Sequence, residues 1–221
     1  GRSKLREIDA HPEAFRHDPR ARLYLEYLTY VRTLKPLALP MENVPDVLNH
    51  GGQNVAEETC EVLEACGYVA RYTLLNAVFY GVPQMRERMI LVAYRRELAG
   101  EVTFPAPTHW MELPNGYRSS RQVALKLVEA GGHFAASRSR YVAAPQARTD
   151  LPPAVTAEEA LGDLPAITTH LEGLSRRGVR RVDEAVPYGD RRAPTPYGRQ
   201  MRDWAGDGAL DAVTAHVTRH L

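Results

Sequence analysis

Cysteine is scarce. Cys60 and Cys66 are the only two in 221 residues, which excludes a disulfide-stapled scaffold and leaves two thiols expected to be reduced in a cytoplasmic chain. No apolar run approaches the roughly 18–20 residues that a membrane helix needs. Gly1 to Arg6 are polar and basic and no apolar stretch follows, so no secretory signal is expected. No Gly-x-Ser-x-Gly, phosphate-cradling glycine loop, internal repeat or low-complexity tract occurs. Lysine is nearly absent too: Lys4, Lys35 and Lys126 stand against 25 arginines. Arginine suits phosphate and base-edge recognition, and a GC-rich genome also favours its codons. The formal charge of +1, from 28 basic and 27 acidic residues, excludes neither a nucleic acid nor a small substrate, because distribution matters more than sum.

What is present is ordinary in bulk, with 44% hydrophobic and 25% charged residues, enough for a sizeable buried core. Leu23, Tyr27, Val31 and Leu34, with Leu28 beside them, recur at helical spacing and predict a helix over 20–34. Asp18-Pro19 is its start and Lys35-Pro36 its end. Residues 37–41 are a short apolar run that predicts a buried strand. A helix is predicted over 52–66, with Val55, Thr59, Val62, Leu63 and Cys66 inward and Gly67 as its stop. Strands are predicted over 68–75 and 88–94. Helix, strand, helix, strand, loop, strand is an α/β order, with a sheet expected to be covered on both faces.

The second half differs. It holds ten of the sixteen prolines and is irregular, apart from helices predicted at 119–130 and 156–163. A boundary is placed near residue 100. Residues 132–149 carry Arg138, Arg140, Arg148 and His133 with no acid. Arginine pairs follow at Arg176-Arg177, Arg180-Arg181 and Arg191-Arg192. Tyr188, Tyr197 and Trp204 are interleaved with Arg191, Arg192, Arg199 and Arg202, a pattern that suits phosphate tracking and equally a solvated basic loop. His216 and His220 stand four apart, but without a Glu beside His216 or a third ligand nearby no metal site is expected.

Two features carry chemistry. Glu42-Asn43-Val44 follows the apolar run, where a strand ends, and ligands of open α/β sheets sit outside such ends. A carboxylate there is expected to be desolvated and able to hold or deliver a proton; it could also cap the next turn. Gln84-Met85-Arg86-Glu87-Arg88 precedes a strand. At strand spacing Gln84, Arg86 and Arg88 would share one face, suited to a phosphate or base edge, or would simply be a polar strand entry.

Together these features resemble the cytosine-5 DNA methyltransferase family, bacterial type. Asp18-Pro19-Arg20-Ala21-Arg22-Leu23-Tyr24, then Leu34-Lys35-Pro36, then Met41-Glu42-Asn43-Val44 look like its fifth and sixth motifs. Asn76 through Arg88 looks like its seventh and eighth. Phe104-Pro105-Ala106-Pro107-Thr108-His109 and the stretch from Thr156 to Pro165 are also similar. The resemblance is close over 18–109 and looser beyond.

That resemblance implies a partial Rossmann-like, S-adenosylmethionine-dependent methyltransferase domain over 1–100. It is followed over 101–221 by the start of an irregular, partly helical target-recognition region. It implies double-stranded DNA as substrate, a cytosine flipped out of the duplex, and a cytoplasmic enzyme of a restriction-modification or related defence system. Glu42 would hold ring nitrogen 3 and the exocyclic amine. Arg86 and Arg88 would serve the flipped nucleotide, its phosphate or the intermediate. Leu23 would lie against the methionine part of the cofactor, Asn43 would brace the Glu42 loop and Val44 would lie near the base. Gln84, Arg176, Arg177, Arg180, Arg181, Arg191 and Arg192 would contact DNA.

The chain departs from the family pattern in what it lacks. The Pro-Cys motif carrying the nucleophile would fall before Gly1, and the cofactor glycine loop and last two motifs are absent. Cys60 and Cys66, on a helix with nothing basic beside them, are expected to be packing residues. The chain alone is therefore expected to be inactive, either as part of a longer enzyme or as a DNA-binding relative that needs a partner subunit.

Overall fold

The computed structural model describes residues 19–50, 52–98, 100–129, 139–164, 186–187, 193–203 and 212–213, with only the backbone for 19–25, 118–120, 186–187 and 212–213. The pairs Arg176-Arg177, Arg180-Arg181 and Arg191-Arg192, together with Tyr188, Trp204, His216 and His220, lie outside the described residues. The chain divides into two compact units. One is Gly1–Tyr80 with Met85–Pro153, the other Gly81–Gln84 with Ala154–Leu221. No described helix is long and apolar enough to cross a membrane.

In the first unit, α1 spans Pro19–Leu34. Leu28 and Val31 are buried, but Leu34 is 69% exposed, so the apolar stripe ends a turn before the helix does. Lys35 takes a left-handed φ of 44°, and its N–H closes on the Val31 carbonyl at 3.0 Å. β1 follows at Ala38–Asn43. The continuous burial expected of its apolar run is not found: Leu39 is buried and Met41 half-buried, while Ala38 and Pro40 are exposed. β1 is an edge strand among the described residues, which is where a proline without an N–H can sit. A 3-10 helix, Pro45–Asn49, comes next.

Helix α2, Val55–Ala65, starts where the Asn54 side chain accepts from the Glu57 N–H. It stops at Gly67, whose φ of 92° is one that other residues adopt at a cost. Thr59, Val62 and Leu63 face inward as expected, yet so do Glu57, Glu58 and Glu61. β2 is Tyr68–Asn76 and β3 is Glu87–Arg95. The sheet order is β1-β3-β2, and β3 runs antiparallel to both neighbours. β1 and β2 are therefore parallel to each other, joined through α2, with β3 laid between them.

Alternation sorts the strands into two faces. Leu39, Ala70, Tyr72, Leu74, Met89, Leu91 and Ala93 form one, packed with Leu48, Ala56, Cys60 and Leu63 in the main core. Each fully buried Leu or Met side chain among them contributes about 1.5–3 kcal/mol. The other face is less covered than expected. Thr73 is buried, Val69, Arg71, Ile90 and Val92 are half-buried, and Tyr94 is exposed.

Helix α3, Asn115–Glu129, packs Ala124 and Leu125 into the core beside the Pro45–Asn49 turn. Residues 139–142 lie along the outer edge of β2. There Tyr72 N–H donates to the Arg140 carbonyl at 3.2 Å and Val142 N–H to the Tyr72 carbonyl at 2.9 Å.

In the second unit, Thr156 and Glu159 form a reciprocal capping box on α4, Ala157–Leu161. The carboxylate's bonds to the Thr156 backbone and hydroxyl hold it below the usual glutamate range. Helix α5, Pro196–Asp203, is tied back through the Thr195 hydroxyl, which donates to the Glu159 carbonyl at 2.7 Å. Arg202 pairs with the buried Asp163. That contact removes Arg202 from the set of arginines available to phosphates. Two short strands, β4 at Val186–Pro187 and β5 at Ala212–Val213, pair antiparallel.

Candidate active site

Because β1 and β2 end where β3 begins, one end of the sheet gathers three chain segments. Register pairs Asn43 with Met89 and Asn76 with Glu87. Glu42 and Arg88 fall on the same, less covered face, one pleat apart. Arg88 Nε meets Glu42 Oε1 at 2.7 Å, with the side chains 22% and 56% exposed. Arg88 Nη1 also donates to the Glu87 carbonyl at 2.7 Å. Glu42 is thus half in solvent and ion-paired, rather than desolvated as its place in the sequence predicts. A pair this exposed is worth no more than about 1 kcal/mol, so an incoming ligand can open it cheaply.

The turn beyond Glu42 is braced locally, since Asn43 Oδ1 accepts from the Val44 N–H at 2.9 Å. Val44 is 45% exposed at the head of the Pro45–Asn49 turn. Asn76, 2% exposed, fastens the other side. Its Oδ1 accepts from the Arg86 N–H at 3.1 Å and the Val78 N–H at 3.2 Å, and Ala77 N–H donates to the Arg86 carbonyl at 2.9 Å. Nothing in composition singled out Asn76. A polar residue ending a buried strand before a loop was the available signal.

Gln84, Arg86 and Arg88 do not share a strand face. β3 begins only at Glu87, so the two-residue period does not reach back. Arg86 is exposed in the approach to the strand. Gln84 is exposed in the loop Gly81–Gln84 of the second unit, where its N–H donates to the Val82 carbonyl at 2.7 Å. Leu23 contributes only backbone of α1 to the description.

Arg140 also lies elsewhere than its basic segment implies. Its guanidinium reaches Glu57, Glu61 and Glu64 of α2 at 3.0, 3.4 and 2.8 Å. Burial pulls its pKa down, but hydrogen bonds to Glu64 and Glu57 outweigh that and hold it above the ordinary arginine value. Cys60 is fully buried. Burial first, then the carboxylates of Glu57 and Glu64, push its thiol pKa well up, and a thiol held protonated is no nucleophile. Neither cysteine follows a proline. Among the described residues, no cluster of three or more His, Cys, Asp or Glu could hold a metal ion.

One end of the α/β sheet thus presents a carboxylate and a guanidinium together, the place where ligands of open α/β sheets sit. The chain belongs to the C-5 cytosine-specific DNA methylase family, whose model matches residues 13–143. The Oceanobacillus iheyensis protein M.OihORF3336P is 34% identical over 167 residues, covering 75% of this chain and 34% of that protein. Type II methyltransferase M1.HphI of Haemophilus parahaemolyticus is 37% identical over 95 residues, 43% of this chain and 25% of that one. Type II methyltransferase M.MspI of a Moraxella species is 35% identical over 95 residues, again 43% of this chain and 22% of the relative. The chain therefore spans about a third or less of the length of these relatives.

Proposed function

We propose that this chain is the middle section of a DNA (cytosine-5-)-methyltransferase of a restriction-modification system, acting on a cytosine flipped out of double-stranded DNA. The observation that carries the reading is the Glu42–Arg88 pair at the strand ends, on residues inside the stretch that matches the family.

In this reading a flipped cytosine enters between the two partners. Arg88 turns to the nucleotide's phosphate, with Arg86 beside it. Glu42 loses its cation and its water together, both of which favour the protonated carboxyl. It then holds a proton at ring nitrogen 3 and accepts from the exocyclic amine, offsetting the charge that the ring gains when a thiolate adds at carbon 6. Asn43 keeps the turn closed and Val44 borders the base. The thiolate comes from a Pro-Cys motif outside these residues. As a general property of the family the methyl donor is S-adenosylmethionine. Leu23 is the residue proposed to lie against its methionine part, and of Leu23 only the backbone is described.

The sheet is read as one flank of a larger Rossmann-like sheet. Two parallel strands joined through a helix support that reading. So does the outer edge of β1, unpartnered among the described residues beside the exposed Leu37. Functionally, residues 1–100 are assigned to the second half of the catalytic domain, and 101–221 to the start of target recognition with Gln84 and the arginine pairs. The first compact unit runs past this division to Pro153, with α3 packed into the core and residues 140–142 bonded to β2.

The test is methyl transfer to cytosine-containing duplex DNA by this chain and by the chain extended to the ends of its gene. Transfer by the extended protein alone is expected. Absence of transfer from both, with DNA bound, would replace the reading with a binding relative that needs a partner subunit.

A further inference from the structure

Helix α3 is bonded to both arms of the candidate site. Its Tyr117 hydroxyl donates to the Met85 carbonyl. Its Arg121 guanidinium pairs with Glu87 and donates to the Leu74 carbonyl at 3.4 Å. Its Val123 carbonyl accepts from Asn49 Nδ2 at 3.1 Å. Met85 and Glu87 flank Arg86, and Glu87 adjoins Arg88. Asn49 closes the turn that begins directly after Glu42-Asn43-Val44. Ala124 and Leu125, buried in the core, make the helix a fixed support.

Glu87 is the joint. Its side chain is only 9% exposed and lies on the opposite sheet face from Arg88. Without Arg121 its carboxylate would be nearly buried with no cation, a costly state that the strand entry relieves by turning toward water. Any such turn carries the neighbouring Arg88 away from Glu42. We propose that α3 is a positioning element of the active site, with Arg121 and Tyr117 setting residues 85–88 so that Arg86 and Arg88 are held beside Glu42, ready to turn to the incoming nucleotide. The inference rests on the reading of Glu42 and Arg88 as reaction groups. Its signal in the sequence is weak: α3 belongs to the segment 111–153, between the two stretches that look familiar from the family.

The experiment uses the complete gene product, steady-state methyl transfer to duplex DNA and thermal melting. Arg121→Met is expected to lower kcat roughly 10- to 100-fold, the scale of an ångström-sized misplacement, with KM for DNA nearly unchanged. Arg121→Lys, which keeps the charge, is expected to recover part of that loss. Tyr117→Phe removes one hydrogen bond and is expected to lower kcat about three- to tenfold. Val31→Ala, a buried α1 residue away from the site, is expected to lower the melting midpoint and keep the wild-type kcat.

Wild-type kcat in both Arg121→Met and Tyr117→Phe overturns the inference and leaves the function standing. So does an equal kcat loss in Val31→Ala, which would make the effect one of general stability. If Arg121→Met does not fold, Tyr117→Phe decides. No methyl transfer by the wild type overturns the function and the inference together.

Discussion

Glu42→Gln in the complete gene product is expected to slow single-turnover methyl transfer by roughly 10²- to 10⁴-fold, the range attributed to a positioned general acid or base. Glutamine keeps the length of the side chain, one acceptor for the exocyclic amine and one donor for ring nitrogen 3. It cannot give up a proton. Duplex binding is therefore expected to survive while the chemical step fails. Stability should hardly change, because the side chain is 56% exposed and surface substitutions cost less than about 0.5 kcal/mol. Rapid-quench methyl transfer, with binding measured on the same duplex, separates the two effects. A wild-type rate would remove Glu42 from the chemistry. A loss confined to binding would make it an anchoring group only.

Arg140→Met is expected to be the most destabilising single change outside the site. Three glutamates of α2 converge on this one guanidinium. The side chains of Glu57 and Glu61 are each 4% exposed, and that of Glu64 27%. Removing the shared cation takes from these carboxylates the guanidinium on which they converge, a change that costs about 3–5 kcal/mol in buried pairs, while Glu64 keeps Arg71 at 3.3 Å. Two bonds to Glu57 remain. The Tyr72 hydroxyl donates to it at 2.8 Å and the Arg140 backbone N–H at 3.2 Å. The low end, about 3 kcal/mol, is therefore expected, with a fall in melting midpoint of roughly 10 °C. Adding Glu57→Gln to Arg140→Met should restore part of the loss, since partners in one network are not additive. A shift below about 1 kcal/mol would mean that the network behaves as a surface one.

How much of this is legible without coordinates depends on the range over which a residue acts. Local patterns were enough for α1, α2 and the three strands of the main sheet, but not for the helix Pro196–Asp203, which falls in a stretch that reads as irregular. Helical spacing and Asp18-Pro19 predict α1, inward apolar spacing and Gly67 predict α2, and the apolar run at 88–94 marks β3. Glu42 and Arg88 stand out as candidates in the sequence because each sits next to a strand boundary. Their meeting was not. It follows from β3 lying antiparallel between β1 and β2, a long-range pairing with no local signal. The same holds for Leu34 and Pro40. Their sequence context reads as apolar and buried, whereas a helix end and an edge strand leave them exposed.

Charge pairing is not legible where the partner lies far along the chain. Arg140 stands in an acid-free segment, with no carboxylate close by in sequence. Glu57, Glu61 and Glu64, at positions i, i+4 and i+7 of one helix face, were the complementary signal in plain view. Arg202 with Asp163 repeats the lesson over 39 residues. In both cases tertiary folding places the cation against a buried carboxylate, and only the fold says which of 25 arginines remain for DNA.

The central claim is that a flipped cytosine displaces Arg88 from Glu42. The most direct measurement is a structure of the complete gene product bound to duplex DNA carrying 5-fluorocytosine at the target, which arrests the reaction on the enzyme. The Glu42 carboxyl is expected within hydrogen-bond reach of ring nitrogen 3 and the exocyclic amine, with Arg88 on the nucleotide's phosphate. A trapped base held by other residues, with the Glu42–Arg88 pair still closed, would contradict the account.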